Sequence, residues 1–357
     1  MEKTKVLIVD DSAFMRKLIN EFLSDHPQIQ VIGTARNGED ALGKIKELKP
    51  DVVTMDVEMP ILNGLEALKV IMRESPVPVI MLSSTTKEGA ENTLLAIQNG
   101  AVDFIAKPSG AISLDLYKVK DELIDKVISA RKANISRLVD SKVNQIISVP
   151  KLTHYSKMEL VNHSAISSQK WEKSSKKIIC IGTSTGGPRA LQHVLTKLPK
   201  EMEAPLFIVQ HMPPGFTKSL ASRLDTLSNI KVKEAEDGEL AQRGIAYIAP
   251  GGYHLKVKQV GTSLAIQLDQ SQARNGHRPS VDILFESLSD LRGYAKIAVI
   301  MTGMGADGAR GLSQLKSKGT VKAIAESEHT SIVYGMPKAA IATKLVDEVI
   351  DVENIAG

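Results

Sequence analysis

The stretch Lys177–Leu191, KIICIGTSTGGPRAL, decides how the second half of this 357-residue chain is read. A short β-branched run ends at Gly182. Ser184 sits between two threonines, and Gly186, Gly187 and Pro188 open a segment with helical spacing. The pattern is strand, tight turn, helix. Gly182–Gly186, GTSTG, fits the G-x-S-x-G string of a nucleophile turn in that context. Its glycines permit a sharp bend and keep side chains clear of the hydroxyl. The helix N-terminus would face a developing oxyanion. A phosphate-binding loop competes, but the G-x-G-x-x-G spacing fails and no Lys follows the glycines as in a Walker A loop. A plain turn is the third reading, and on this stretch alone all three stay open.

A serine nucleophile needs a base, and the base needs an orienting acid. Of the eight histidines, His26, His154 and His163 fall in the N-terminal or middle segments. His193 falls on the helix after Ser184, where a surface or packed role is expected. His254, His277 and His329 lie in loops or at strand ends. His211 ends the next apolar run, Ala204–His211 (APLFIVQH), and emerges beside Ser184 if those strands are neighbours. Val299–Gly311, VIMTGMGADGARG, ends another strong strand in a glycine-rich loop that carries Asp307. Taken singly, His211 could also be a loop histidine without a role and Asp307 an N-cap. Together, Ser184, His211 and Asp307 on three strand ends of one sheet make a coherent triad. Their chain order, Ser–His–Asp, differs from the Ser–Asp–His order of α/β-hydrolases. Thr185, Gly186 and Met304 are expected to support the turn or bring oxyanion donors, and Arg278 and Pro279 to line the cleft. Arg278 reads equally well as a surface charge.

The N-terminal stretch alternates in the same way. Lys5–Asp10 (KVLIVD), IQVIGTA, DVVTMD, VPVIMLS and VDFIAKP read as strands separated by amphipathic helices, the last over 113–133. Five strands and five helices imply an open parallel sheet covered on both faces. Asp10, Asp11 and Asp56 end strands, where ligands sit in such sheets. Three carboxylates meeting there call for a cation, and hard oxygen ligands at an exposed edge suit Mg²⁺. Ser83 and Lys107 would reach the same edge, offering a hydroxyl and an ammonium to phosphoryl oxygens.

This ordered set resembles the receiver domain of bacterial response regulators. The resemblance implies a flavodoxin-like (βα)5 fold and a phospho-accepting Asp56. It also implies Mg²⁺ on Asp10, Asp11, Asp56 and the Glu58 carbonyl, Ser83 as switch hydroxyl, Lys107 on the phosphate, and a cis Lys107–Pro108 bond. Phe104 takes the position of the switch aromatic, without the hydroxyl a Tyr would bring.

Between the two halves, 134–176 is rich in Ser and Lys and lacks sustained periodicity, the composition of a flexible linker. The expected organisation is a receiver over 1–133, a linker over 134–176 and a catalytic domain over 177–357. The last is doubly wound and mostly parallel, with an antiparallel hairpin at HLKVKQV…SLAIQLD. Composition is globular, 43% hydrophobic and 24% charged. One cysteine, Cys180, excludes an internal disulfide and a cysteine zinc site. No apolar run has membrane-spanning length, and MEKTKVLIVDD lacks a secretory apolar segment. A cytoplasmic protein without membrane insertion is expected. A net charge of +4 does not argue for a nucleic-acid partner. A DNA-binding output domain would need a small domain with a basic recognition helix, which this half is not. A nucleotide-binding output domain or a non-catalytic scaffold would leave Ser184 without a chemical role.

The motifs GTSTGGP, QHMPPGFT, YIAPGG, GHRPSVD, TGMGADG and YGMP together resemble the chemotaxis receptor methylesterase family, CheB. The receiver–linker–esterase order matches too. The resemblance implies hydrolysis of glutamyl γ-methyl esters on chemoreceptors (methyl-accepting chemotaxis proteins) and deamidation of some receptor glutamines. It implies a chemotaxis histidine kinase as phosphodonor, recruitment to membrane-bound receptor clusters, and inhibition by the unmodified receiver. No cofactor is implied for the ester chemistry.

Overall fold

The computed structural model describes residues 2–107, 114–139 and 176–357, and the backbone alone for 114–118. The Lys107–Pro108 bond and linker residues 140–175 lie outside the described residues.

The N-terminal sheet contains β1 (Thr4–Val9), β2 (Ile29–Ala35), β3 (Val52–Asp56), β4 (Val79–Ser83) and β5 (Asp103–Ala106), all parallel, in the order β2-β1-β3-β4-β5. Helices α1 (Ala13–Ser24), α2 (Gly38–Leu48), α3 (Gly64–Glu74), α4 (Lys87–Gln98) and α5 (Leu114–Ala130) connect and follow the strands. Helix starts are written locally. The side chains of Ser12, Asn37, Asn63 and Thr86 accept from the backbone N–H three residues on, at Met15, Asp40, Glu66 and Gly89. Strands β1, β3 and β4 are buried almost throughout, as sheets covered on both faces require.

The C-terminal sheet runs β14-β13-β12-β6-β7-β9-β8 and is parallel throughout. Its strands are β6 (Lys176–Thr183), β7 (Leu206–Gln210), β8 (Lys231–Glu234), β9 (Ile245–Ile248), β12 (Tyr294–Ile300), β13 (Val321–Glu326) and β14 (Glu348–Ile350). The expected hairpin, β10 (His254–Val260) with β11 (Ser263–Asp269), forms a separate two-stranded sheet. Helices α7 (Gly187–Leu195), α8 (Phe216–Leu227), α9 (Val281–Ser289), α10 (Ala309–Ser317) and α11 (Met336–Ala342) complete the domain. Sequence reading missed β8 and β14, the two edge strands. Both are short and carry Lys or Glu, the composition that blunts an edge and hides the strand signal.

The expected linker does not begin as one. Residues 136–139 form a short helix, α6 (Ser136–Val139), seated on the catalytic domain. Asn134 N–H donates to Ile332 O at 3.0 Å, and Arg137 pairs with Glu353 at 3.3 Å. The Ser- and Lys-rich composition gives no sign of this packed position.

The two domains share one apolar cluster. Ala90, Leu94, Ile97 and Phe104 belong to it from the receiver, with Leu191, Met212, Phe216 and Leu220 from the catalytic domain. Helix α4 packs on α7 and α8, and Phe104 stacks on Phe216 with ring centroids 4.7 Å apart.

Candidate active site

Strand order settles the adjacency that sequence left conditional. β6 lies between β12 and β7. Past the last ladder pairs, Met301 N–H donates to Gly182 O (2.9 Å), Ser184 N–H to Thr302 O (3.0 Å) and His211 N–H to Thr183 O (3.2 Å). The three loops therefore leave one carboxyl edge side by side, with Ser184 in the middle.

The turn needs its glycines. Gly186 has φ +78°, a conformation L-residues seldom adopt. A Cβ on Gly187 would stand 2.0 Å from Gln210 Oε1. The same geometry argues against a phosphate loop. Ser184 N–H is taken by Thr302 O, and Gly187 N–H by Ser184 O at 2.7 Å. These amides are committed to the protein and cannot cradle an anion together.

His211 and Asp307 are in direct contact, His211 Nε2 to Asp307 Oδ2 at 2.8 Å, with both side chains nearly buried. Donation from Nε2–H leaves Nδ1 as the basic nitrogen, and Nδ1 is buried without a partner among the described residues. Ser184 is half-buried on the neighbouring turn, with no hydrogen bond from its hydroxyl to His211 among the described residues.

Asp307 is not an N-cap of the simple kind. Its carboxylate accepts from Ser280 Oγ (2.8 Å), Val281 N (2.7 Å), Asp282 N (3.1 Å) and Asn275 Nδ2 (3.4 Å), besides His211. The first turn of α9 thus wraps the acid. In return, Asp282 Oδ1 accepts from Gly308 N (2.9 Å) and Gly311 N (2.6 Å) at the start of α10. Burial alone would raise the pKa of Asp307. The His211 contact and the α9 amides outweigh it and hold the carboxyl well below the usual range.

Sequence reasoning missed four contributors here: Asn275, His277, Ser280 and Asp282. The imidazole of His277 stacks on His211, with centroids 3.8 Å apart and planes 14° apart. Burial, and then the proximity of His211, push its pKa down to about 3, so the second ring is neutral. The signal was present in GHRPSVD, a polar segment leading into an apolar helix. Arg278 behaves otherwise than expected of a free cleft charge: its guanidinium donates to Gln270 O (2.7 Å) and Ser271 O (3.0 Å). Pro279 is buried and joined to Arg278 by a cis bond.

Two expected support residues touch the receiver instead. Thr185 Oγ1 donates to Asp103 Oδ2, and Met304 Sδ accepts from Ser129 Oγ. Gly186 is the N-cap of α7. Asp103 also pairs with Lys126 at 3.4 Å. Burial would lower the pKa of Lys126, but Asp103 and Glu122 raise it to about 12, so the ammonium stays charged there.

At the receiver's own edge, oxygens of Asp10, Asp11 and Asp56 lie within 4.8 Å of one another. Lys107 Nζ bridges Asp56 (2.7 Å) and Asp10 (2.9 Å). Burial, opposed by Lys107 and assisted by the Asp10 charge, lifts Asp56 to about 6. Lys107 is raised despite its burial, because both carboxylates favour its charged form. The three close carboxylates form a donor set that fits a hard divalent cation. The Ser83 hydroxyl points elsewhere, donating to Gly89 O at 2.9 Å. Phe104 is buried against the catalytic domain.

The architecture is thus a receiver joined to an α/β catalytic domain with a serine–histidine–aspartate edge. A family model described as CheB methylesterase matches residues 179–357, and one described as response regulator receiver domain matches 6–116. The protein-glutamate methylesterase/protein-glutamine glutaminase of Geobacillus kaustophilus is 58% identical over 356 residues, covering 100% of this chain and 97% of that protein. The protein of the same description from Halalkalibacterium halodurans is 58% identical over 354 residues, 99% of this chain and 96% of its own. Among solved structures, the Thermotoga maritima CheB methylesterase catalytic domain matches with a TM-score of 0.50 and 47% identity, over 51% of this chain and 96% of that one. The chain belongs to the CheB methylesterase family.

Proposed function

We propose that this chain is a phosphorylation-regulated protein-glutamate methylesterase and protein-glutamine glutaminase acting on chemoreceptors. The observation that carries the reading is the His211–Asp307 pair on the loops flanking the Ser184 turn. His211 Nδ1 takes the hydroxyl proton as Ser184 Oγ attacks the γ-carbonyl. The proton then passes to the departing methoxide, which leaves as methanol, or to the amine of a glutamine, which leaves as ammonia. Water, deprotonated by the same nitrogen, releases the glutamate and returns the proton to Ser184. Asp307 keeps Nε2 protonated and stabilises the imidazolium.

The domain division that best serves this reading is a receiver over 1–133, a connecting segment over 134–176 and a catalytic domain over 177–357. In the receiver, Asp56 accepts the phosphoryl group from a chemotaxis histidine kinase, and Lys107 contacts its oxygens. Bound Mg²⁺, held by Asp10, Asp11, Asp56 and the Glu58 carbonyl, would offset charge between carboxylates and phosphoryl oxygens. Resting inhibition would have a physical basis in the Asp103–Thr185 and Ser129–Met304 contacts, which tie receiver residues to the Ser184 turn and to the Asp307 loop beside it. Among the described residues no helix is long and apolar enough to cross a membrane. On this reading the chain reaches its receptors by recruitment to their clusters.

The test is methanol release from methyl-labelled receptor membranes by wild type, Ser184→Ala and Asp56→Asn, each with and without acetyl phosphate and Mg²⁺. Release lost in Ser184→Ala, with stimulation that requires Asp56, is expected. Equal release from wild type and Ser184→Ala refutes the reading.

A further inference from the structure

Behind the Ser184 turn lies a buried acid that the reaction scheme does not use. Glu326 ends β13 and is 1% exposed. Its Oε2 accepts from Thr302 N at 2.7 Å, and its Oε1 from Thr330 Oγ1 at 2.9 Å. Thr302 lies just past β12, where the backbone ladder with β13 has ended at Ile300–Ala325. A side-chain oxygen continues the pairing where no strand carbonyl does.

Thr302 in turn holds three consecutive residues of the nucleophile turn. Its carbonyl accepts from Ser184 N (3.0 Å) and Thr183 Oγ1 (3.2 Å), and its hydroxyl donates to Thr185 O (2.9 Å). Val333 N–H donates to the same hydroxyl at 3.0 Å. Gly303 follows, so close that a Cβ there would stand 2.8 Å from Ser184 Cβ. Any drift of Thr302 is therefore transmitted directly to Ser184. Burial, opposed by the Thr302 and Thr330 hydrogen bonds, raises Glu326 to about 7, with Glu353 adding to the rise and Arg137 opposing it. A carboxyl kept in so costly a place, where any neutral acceptor would satisfy one amide, indicates a geometric requirement.

We propose that Glu326 is a positioning residue for the esterase reaction, fixing Thr302 and through it the Ser184 turn. The inference rests on the methylesterase reading above. The reaction is sensitive to displacements of about 1 Å at the nucleophile, so the effect belongs in kcat rather than in KM.

The experiment uses the full-length chain with Mg²⁺ and acetyl phosphate, following methanol release from methyl-labelled receptor membranes. Wild type, Ser184→Ala, Glu326→Leu, Glu326→Asp and Glu326→Gln are compared per folded molecule. Leu removes the acceptor, Asp withdraws it by one methylene, and Gln restores an oxygen at the same reach. Leu and Asp are expected to lower kcat about tenfold or more with KM little changed, and Gln to recover most of the loss. Wild-type kcat in the Leu or Asp variant overturns the inference, as does a Gln variant no better than Asp. If the Leu variant does not fold, the Asp and Gln pair decides alone. Equal release from wild type and Ser184→Ala sinks the underlying reading instead, a result distinct from wild-type kcat in the Glu326 variants.

Discussion

The two parallel sheets present their carboxyl edges to different chemistry with the same side chain. At the receiver edge Asp56 has Lys107 at 2.7 Å and one weak backbone donor, Glu58 N at 3.4 Å, with Asp10 close by. Burial wins and its pKa rises to about 6. At the catalytic edge Asp307 is also buried, yet two α9 amides, Ser280, Asn275 and His211 surround it and its pKa falls. Burial pushes both aspartates the same way; the supply of aimed donors sets the direction of the net shift. An under-supplied carboxylate suits a site that must welcome a cation and a phosphoryl group. An over-supplied one suits a fixed anion that orients a base.

The sharpest break of this comparison is removal of the proposed nucleophile. Ser184→Ala should cut activated methanol release on the order of 10⁵-fold, measured with labelled receptor membranes. Asp307→Asn comes next: it strips the charge and aims an amide at donors, and should lower kcat about 10⁴-fold. At the other edge Asp56→Asn should leave basal hydrolysis intact and abolish stimulation by acetyl phosphate. Chelation of Mg²⁺ should do the same to wild type, since only the receiver edge is expected to need the metal.

A pH titration of stability separates the two aspartates by sign. Asp56 has a folded pKa above its unfolded one, so its contribution falls as pH rises from about 4 to 6. Asp307 has a depressed folded pKa, so its contribution is full above about 4 and is lost as pH falls below that. Denaturant unfolding should therefore show Asp56→Asn gaining roughly 2–3 kcal/mol on wild type between pH 4 and pH 7. No such gain is expected of Asp307→Asn. The smallest effect is at the contact between domains. Asp103→Asn weakens the hold on Thr185 and should raise basal, unphosphorylated hydrolysis about two- to fivefold. A fall in basal hydrolysis would count against inhibition through that contact.

Much of this was legible in the sequence. Apolar runs ending in Asp, Ser, His or Lys mark strand ends, and strand ends mark the edges of parallel sheets. That placed Asp10, Asp56, Lys107, Ser184 and His211 at sheet edges in advance. What was not legible depends on contacts between distant segments. The cradle around Asp307 comes from Asn275, Ser280 and the start of α9, 25 to 32 residues earlier in the chain, and although GHRPSVD stands out as a motif, nothing in it says which acid it will surround. His277 read as a loop histidine because stacking on His211 is a tertiary event. Thr185 and Met304 also meet the receiver, which was not foreseen because sequence holds no sign of domain docking. Strands β8 and β14 escaped because edge strands are short and charged.

If the docked receiver inhibits as proposed above, the Phe104–Phe216 stack also bears on signalling gain. A catalytic site hidden by docking is available only in the undocked fraction, and a signal can raise activity no further than the reciprocal of that fraction. A hundredfold range requires a docked state favoured by about 2.7 kcal/mol. One aromatic pair contributes about 0.5–1.5 kcal/mol beyond its buried area, or about 2- to 12-fold of that range. On that proposal, the ring at 104 helps to determine how quiet the enzyme is before any phosphoryl group arrives.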